Sequence, residues 1–208
     1  MKKTTRVKIL EAASEVFGDK GYRAATVRDI CKKAGVNQAL INYYFNSKQQ
    51  LYNEIFSSIV ESVAGSYPLS DFVRPEMTKE EKLKGLVITM MNRAFGLHGI
   101  GGSKARLNIL SREMIEPTDA MDMYLVTRIS EIRTVGFAIV TEFVGDKMSD
   151  ENKFRHVLSI VGQCMFPMFV NKVLMKTDLM KEPTKENMDI MVEHIYSFSL
   201  NALNGAVK

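Results

Sequence analysis

The stretch from Thr26 to Lys48, T-V-R-D-I-C-K-K-A-G-V-N-Q-A-L-I-N-Y-Y-F-N-S-K, constrains the fold more than any other part of the chain. Thr26 opens a short helix: its hydroxyl can cap the first turn, and Asp29, three residues on, can reach back to complete a capping box with Asp in place of Glu or Gln. Gly35 ends that helix, because only glycine enters the left-handed conformation without strain, and the chain turns at Ala34-Gly35-Val36. Asn37 is then placed to cap a second helix, Gln38 to Phe45. Two short helices joined by a tight turn make a helix-turn-helix.

The second helix has two faces. Ile41 and Phe45, with Val36 ahead of them, point toward Val27 and Ile30, whereas Gln38, Ala39, Asn42 and Tyr43 point away. Eight residues span about 12 Å, the width of a DNA major groove, and the outer face carries two amides, a methyl and a phenol. Such a face can read adenine edges, touch thymine methyls and hold phosphate. Periodicity alone fits an ordinary polar surface helix equally well.

Length sets the next bound. A chain of 208 residues makes one large or two small domains and buries about 70% of its unfolded surface without disulfide, metal or cofactor. With 46% hydrophobic and 25% charged residues and 5 prolines it is globular, not disordered. The net charge of +4 is unevenly distributed: residues 1–55 hold 10 Lys/Arg against 5 acids, and the remainder is slightly acidic. The positive excess lies on the prospective DNA reader, where Met1-Lys2-Lys3 reads as a flexible basic arm near phosphate.

Cys31 and Cys164 stand far apart with no CxxC and no histidine at ligand spacing, so neither a zinc site nor a disulfide scaffold is expected, and the usage suits a reducing cytoplasm. Neither a secretory segment nor a membrane-spanning run is read in the chain. His98, His156 and His194 fall in separate segments, without HExxH or a GxSxG elbow, which leaves an enzyme as the minor alternative.

The rest of the chain reads as helix, about nine in all, with no alternating strand pattern. Thr5 to Lys20 is amphipathic through Val7, Ile9, Leu10, Ala13, Val16 and Phe17, with Gly18 and Gly21 bracketing its end. Asn46-Ser47 turns the chain and puts Lys48 in the first turn of a helix running to about Ala64, where the dipole favours phosphate. That helix carries Leu51, Tyr52, Ile55, Phe56, Ile59 and Val63, a stripe wide enough for a mechanical link. Gly65, Pro68 and Pro75 mark a connector. The expected division is therefore 1–47 reader, 48–75 connecting helix and linker, and 76–208 effector-binding and dimerisation domain. Further helices are expected at Thr78–Leu97, with Thr78 and Glu81 as a capping box, at Lys104–Glu116, 119–144, 150–176 and 185–204. The glycine-rich loop His98–Ser103 lacks GxxxxGK[ST] and reads as a helix connection.

Several runs in this order resemble the TetR family of bacterial one-component regulators: I-L-E-A-A at 9–13, F-G-D-K-G-Y at 17–22, A-T-V-R-D-I at 25–30, A-G-V at 34–36 and Y-Y-F-N-S-K-Q-Q-L at 43–51. Asn42 replaces a tyrosine common in the family, and the variant I-N-Y-x-F-x-S-K resembles the CecR-like branch. L-S-R-E-M-I-E-P-T-D-A at 110–120 and V-G-Q-C-M-F-P-M-F at 161–169 point to the same branch. The resemblance implies an all-α regulator that contacts double-stranded DNA through Thr26, Arg28, Asn37, Gln38, Ala39, Asn42, Tyr43, Tyr44 and Lys48. At position 42 it moves the expected contact from a phenol on phosphate to an amide that can reach a base.

The C-terminal half is rich in Met and Phe, among them Met91, Phe95, Met114 and Phe166, side chains that suit a pocket for varied apolar or amphipathic effectors but serve equally as ordinary core. Arg112, Tyr124, Arg128 and Gln163 are polar groups on inward-reading helices; Arg112 with Glu113 forms either a structural network or a ligand-orienting one. Pro167 interrupts helix 150–176. The last two helices are apolar on more than one side (Val157, Leu158, Val161, Met165 and Met168; Met188, Met191, Val192, Ile195, Phe198 and Leu203), which asks for cover from a second copy in a four-helix dimer interface, as the resemblance also implies. A two-fold dimer places its readers about 34 Å apart and asks for a palindromic operator. The expectation is a repressor released when an effector shifts helices 78–97 and 104–116 and helix 48–64 passes the shift on; an activator remains the alternative.

Overall fold

The computed structural model describes residues 4–124, 130–146, 148–177 and 182–206, with the backbone alone for residues 123, 124, 171, 172 and 174. Among the described residues ten α-helices follow in order: α1 Thr5–Ala24, α2 Val27–Ala34, α3 Gln38–Phe45, α4 Lys48–Ser66, α5 Lys79–Phe95, α6 Lys104–Ile115, α7 Asp119–Tyr124, α8 Ser130–Val144, α9 Asp150–Leu174 and α10 Lys185–Gly205. No strand occurs among the described residues. The continuous helix expected over 119–144 is represented by α7 and α8; residues 125–129 between them lie outside the described residues.

The chain forms two compact units, Met1–Ser62 with Ile100–Val126, and Val63–Gly99 with Thr127–Lys208. In the first, Ile9, Ala13 and Phe17 of α1 are fully buried with Ile30 of α2, Ile41 of α3 and Leu51 of α4. Truncating one such side chain costs about 2–5 kcal/mol. Tyr52, Ile55, Phe56 and Ile59 complete the buried side of α4. Val7, expected to face inward, is exposed instead: two residues before the fully buried Ile9, it lies on the opposite side of α1.

Gly18 and Gly21 have different physical roles. Gly18 sits inside α1 where α6 crosses it: a Cβ there would lie 2.9 Å from the Ala105 Cα. Gly21 breaks the helix with φ 77° and ψ 167°, a conformation that favours glycine, and α1 resumes for one more turn to Ala24. Asn108 of α6 donates from Nδ2 to the Gly18 carbonyl at 3.1 Å. The segment 104–116 therefore packs on α1, although in sequence it belongs to the C-terminal half.

The second unit has its own core. Leu83, Leu86, Val87, Met90 and Met91 of α5, Ile139, Val140 and Phe143 of α8, Val157, Ile160 and Cys164 of α9 and Val192, Ile195 and Leu203 of α10 form one buried cluster. Thr78 caps α5 and Glu81 returns the bond to the Thr78 N–H at 2.8 Å, the expected capping box. Burial pushes the Cys164 thiol up to about 12, which makes it a small core hydrophobe.

Candidate functional site

The reader is built by local chemistry. Thr26 Oγ1 accepts from the Asp29 N–H at 3.1 Å, and Asp29 Oδ2 accepts from the Thr26 N–H at 3.1 Å, closing the capping box of α2. Asp29 also pairs with Lys20 at 2.8 Å. Hydrogen bonding to Lys20 and then to Thr26 holds its carboxyl down to about 2. Gly35 ends α2 in the left-handed region at φ 67°, ψ 37°, its N–H returned to the Cys31 carbonyl. Asn37 Oδ1 accepts from the Leu40 N–H at 3.0 Å and so caps α3.

Those caps set which way α3 faces. Ile41 and Phe45 are buried, whereas Gln38, Ala39, Asn42, Tyr43 and Tyr44 are exposed. Tyr43 is 78% exposed, unusual for so large a ring, and it meets Tyr44 edge-on with centroids 5.0 Å apart. Thr26, Arg28 and Asn37 are exposed as well, although the Thr26 and Asn37 oxygens are already engaged as caps.

Lys48 opens α4, as its place in the sequence predicts. Its ammonium points back into the protein, donating to the Tyr22 carbonyl at 2.8 Å and the Ala25 carbonyl at 2.9 Å, and lies 4.4 Å from the Tyr22 ring centroid. It ties the end of α1 to the start of α4. Other cations of the reader are paired too: Arg6 with Glu54, Lys20 with Asp29, Lys33 with Glu15, and Arg23 with Glu116 at 3.6 Å. Lys8, Arg28 and Lys32 have no acidic partner among the described residues.

Arg112 and Glu113 are separated by their partners. Glu113 is 2% exposed; its Oε1 accepts from the Tyr52 hydroxyl at 2.7 Å, its Oε2 from the Thr118 N–H at 3.0 Å, and the Thr118 hydroxyl adds a third donor. Burial, then the bond to Glu113, push the Tyr52 hydroxyl far above the ordinary phenol range. The Tyr52 ring packs on Phe17 and Tyr22, each with centroids 4.9 Å away. Arg112 Nη2 donates to the Asp19 carbonyl at 3.1 Å. Both residues thus hold α6 against α1 and α4, and Arg112, expected to orient a ligand, is not among the residues that line the cavity of the second unit.

The second unit contains an open cavity of about 860 Å3 between α5 and α10, bordered by Tyr67 beyond the end of α4. Met91 and Phe95, expected to meet a ligand, line it; Met114, Gln163 and Phe166 do not. Met114 is exposed on α6 and Phe166 on α9, and the Gln163 amide donates to the Ser159 carbonyl at 3.1 Å. The Tyr124 side chain and Arg128 lie outside the described residues. Sequence reasoning missed Tyr67, Lys84, Ile88, Asn92 and Met188 as lining residues. Lys84, Ile88, Met91 and Phe95 follow one another at helical spacing, a signal in the sequence, but nothing there says that α10 is the opposite wall. Tyr67 is itself held: the Arg93 Nε donates to its carbonyl at 3.0 Å, and the His98 N–H to its hydroxyl at 3.2 Å.

An all-helical chain that projects a short capped helix with polar and aromatic side chains outward is a helix-turn-helix protein. Residues 9–55 match the bacterial regulatory proteins of the tetR family, and residues 79–203 match the C-terminal domain of the HTH-type transcriptional dual regulator CecR. The chain belongs to the TetR family of transcriptional regulators, in the branch with the CecR C-terminal domain. CecR of Shigella flexneri is 22% identical over 92% of this chain and 93% of its own. The repressor KstR2 of Rhodococcus jostii is 31% identical, but over 40% of each chain, so the match spans well under half of that relative. A TetR-like regulator from Rhodococcus sp. RHA1 superposes with TM-score 0.66 at 16% identity, covering 99% of this chain and 98% of the other. FadR of Bacillus subtilis, solved with stearoyl-CoA, superposes with TM-score 0.60 at 16% identity, covering 98% of this chain and all of the other. Among the described residues no helix is long and apolar enough to cross a membrane, and no cluster of His, Cys, Asp or Glu could hold a metal ion.

Proposed function

We propose that this chain is a repressor that binds a palindromic operator as a homodimer and is released by a small apolar or amphipathic effector. The observation that carries the reading is the split of α3, with Ile41 and Phe45 buried and Gln38, Asn42 and Tyr43 turned outward. In this proposal Gln38 and Asn42 read base edges, Ala39 meets a thymine methyl, and Tyr43, Tyr44, Arg28 and the residues around the caps at Thr26 and Asn37 position the phosphate backbone. Lys48 acts first as the tie between α1 and α4. Residues 1–47 serve as reader, 48–75 as connector and 76–208 as effector and dimer region, with α6 lending its packing to the reader.

Dimerisation through α9 and α10 is supported by the apolar side chains these helices leave in solvent. Leu158, Phe166, Phe169 and Val173 recur on one side of α9, and Ile190 and Phe198 lie two turns apart on α10. Exposed aliphatic and aromatic groups at this spacing ask for an apolar cover, and a second copy supplies it with two-fold symmetry.

Selection of bound fragments from genomic DNA at moderate salt tests the reading. A shared palindrome with half-sites about 34 Å apart is expected; fragments without a common sequence would make the chain an architectural DNA protein instead. An operator lying upstream of the promoter, with transcription rising on binding, would favour activation, a reading kept alive by the relative described as a dual regulator.

A further inference from the structure

We infer that the groove between α5 and α10 seats a single-chain amphiphile lengthwise, an assignment that rests on the ligand-responsive reading above and adds its site and ligand class. The two helices run antiparallel across it: Lys84 pairs with Glu193 at 2.5 Å at one end, while Leu97 and Pro183 border it at the other. From Lys84 to Leu97 the wall is about 20 Å long at 1.5 Å per residue. The cavity of about 860 Å3 along that wall is a long, open groove where many ligand pockets are compact. An extended chain advances about 1.2 Å per bond, so about 16 chain atoms fill it.

The chemistry of the walls agrees with the shape. Met91 and Val192 form a buried floor and Ile88, Phe95 and Met188 half-buried flanks. Two of these five are methionines, whose unbranched side chains follow a flexible tail. Charges occupy the rim alone: Glu193 is neutralised by Lys84, which leaves Lys185 and Asp189, one turn apart on α10, to meet a polar head. The rim carries equal numbers of cations and anions, so the tail, not the sign of the head, selects the ligand. Ile190 and Phe198 are not among the lining residues, and the groove and the apolar side assigned to dimerisation therefore use different faces of α10.

The test is binding of the fluorescent polyene acid cis-parinaric acid to the full chain, with displacement by saturated fatty acids of increasing length and by the matching alcohols. Affinity should rise about two- to fourfold per methylene and level off near about 16 chain atoms, with acid and alcohol differing little at equal length. Met188→Trp, on the flank and outside the buried core, should weaken probe binding at least tenfold, whereas Met114→Trp on α6 should leave it unchanged. Length-independent displacement, no binding of the probe, or loss in Met114→Trp in place of Met188→Trp would overturn the inference. Operator binding of the unliganded chain is measured alongside: its persistence after a negative result removes the groove and keeps the regulator, and its absence removes the regulator and leaves the groove to be judged by the displacement alone.

Discussion

The reader and the α9–α10 pair leave opposite chemistries in solvent. The reader buries its few apolar side chains around Ile9, Ile30 and Ile41 and turns amides and phenols outward, whereas α9 and α10 leave Leu158, Phe166, Val173 and Phe198 uncovered. Polar groups held rigidly outward recognise a polar partner with little ordering cost, and apolar groups held outward remain incomplete until covered. The two surfaces thus follow two rules, and each rule is open to substitution.

The largest effect is expected on the apolar side. Leu158→Glu combined with Phe198→Glu places unpaired charges where a second copy would sit, at several kcal/mol or more. Sedimentation should show a folded monomer, and operator affinity should fall by about 100-fold or more; a dimer that survives would move the interface elsewhere. Glu113→Ala comes next. It strands the Tyr52 hydroxyl and the Thr118 N–H, an expected loss of about 1–3 kcal/mol for each buried group left unsatisfied, seen as a lower denaturation midpoint with unit 2 intact by hydrogen exchange.

On the polar side the effects are smaller and separable. Asn42→Ala or Gln38→Ala should cost about 1–3 kcal/mol in operator binding and relax base preference, while Tyr44→Phe weakens all sequences alike. Equal weakening of every sequence by Asn42→Ala would end its role as a base reader. Lys48→Ala should lower thermal stability by removing two charged hydrogen bonds to carbonyls, about 1–3 kcal/mol in all, with little change in the salt slope. A slope reduced by about one would show that its remaining donor also meets phosphate. The mildest effect concerns pH. The Asp29 carboxyl is held down to about 2 in the fold against an ordinary value of 3.8, so its contribution is full above about pH 4 and disappears as pH falls toward 2; acid titration of Asp29→Asn should lack that component.

How much of this was legible depended on distance along the chain. The capping boxes at Thr26–Asp29 and Thr78–Glu81, the left-handed Gly35 and the cap at Asn37 involve partners three or four residues apart, and residue type alone specifies them. At Arg112 a charge in an apolar stretch announces that it needs a partner without naming it; the partner is the Asp19 carbonyl, 93 positions away. At Lys48 the same holds: a lysine in a first helical turn suits phosphate, and the sequence does not show that two carbonyls from α1 and its tail also engage it. The groove is half visible in the sequence: its α5 wall shows helical spacing, but its α10 wall lies about a hundred residues on, where Met188 and Val192 read as part of a dimer face.

The absence of a side chain at Gly18 has an engineering consequence. Because the backbone at Ala105 would stand 2.9 Å from a Cβ at this position, Gly18→Ala cannot be seated unless α1 and α6 move apart. A joint with no room for one added carbon is a fixed spacer, and any redesign of the first unit has to keep it bare.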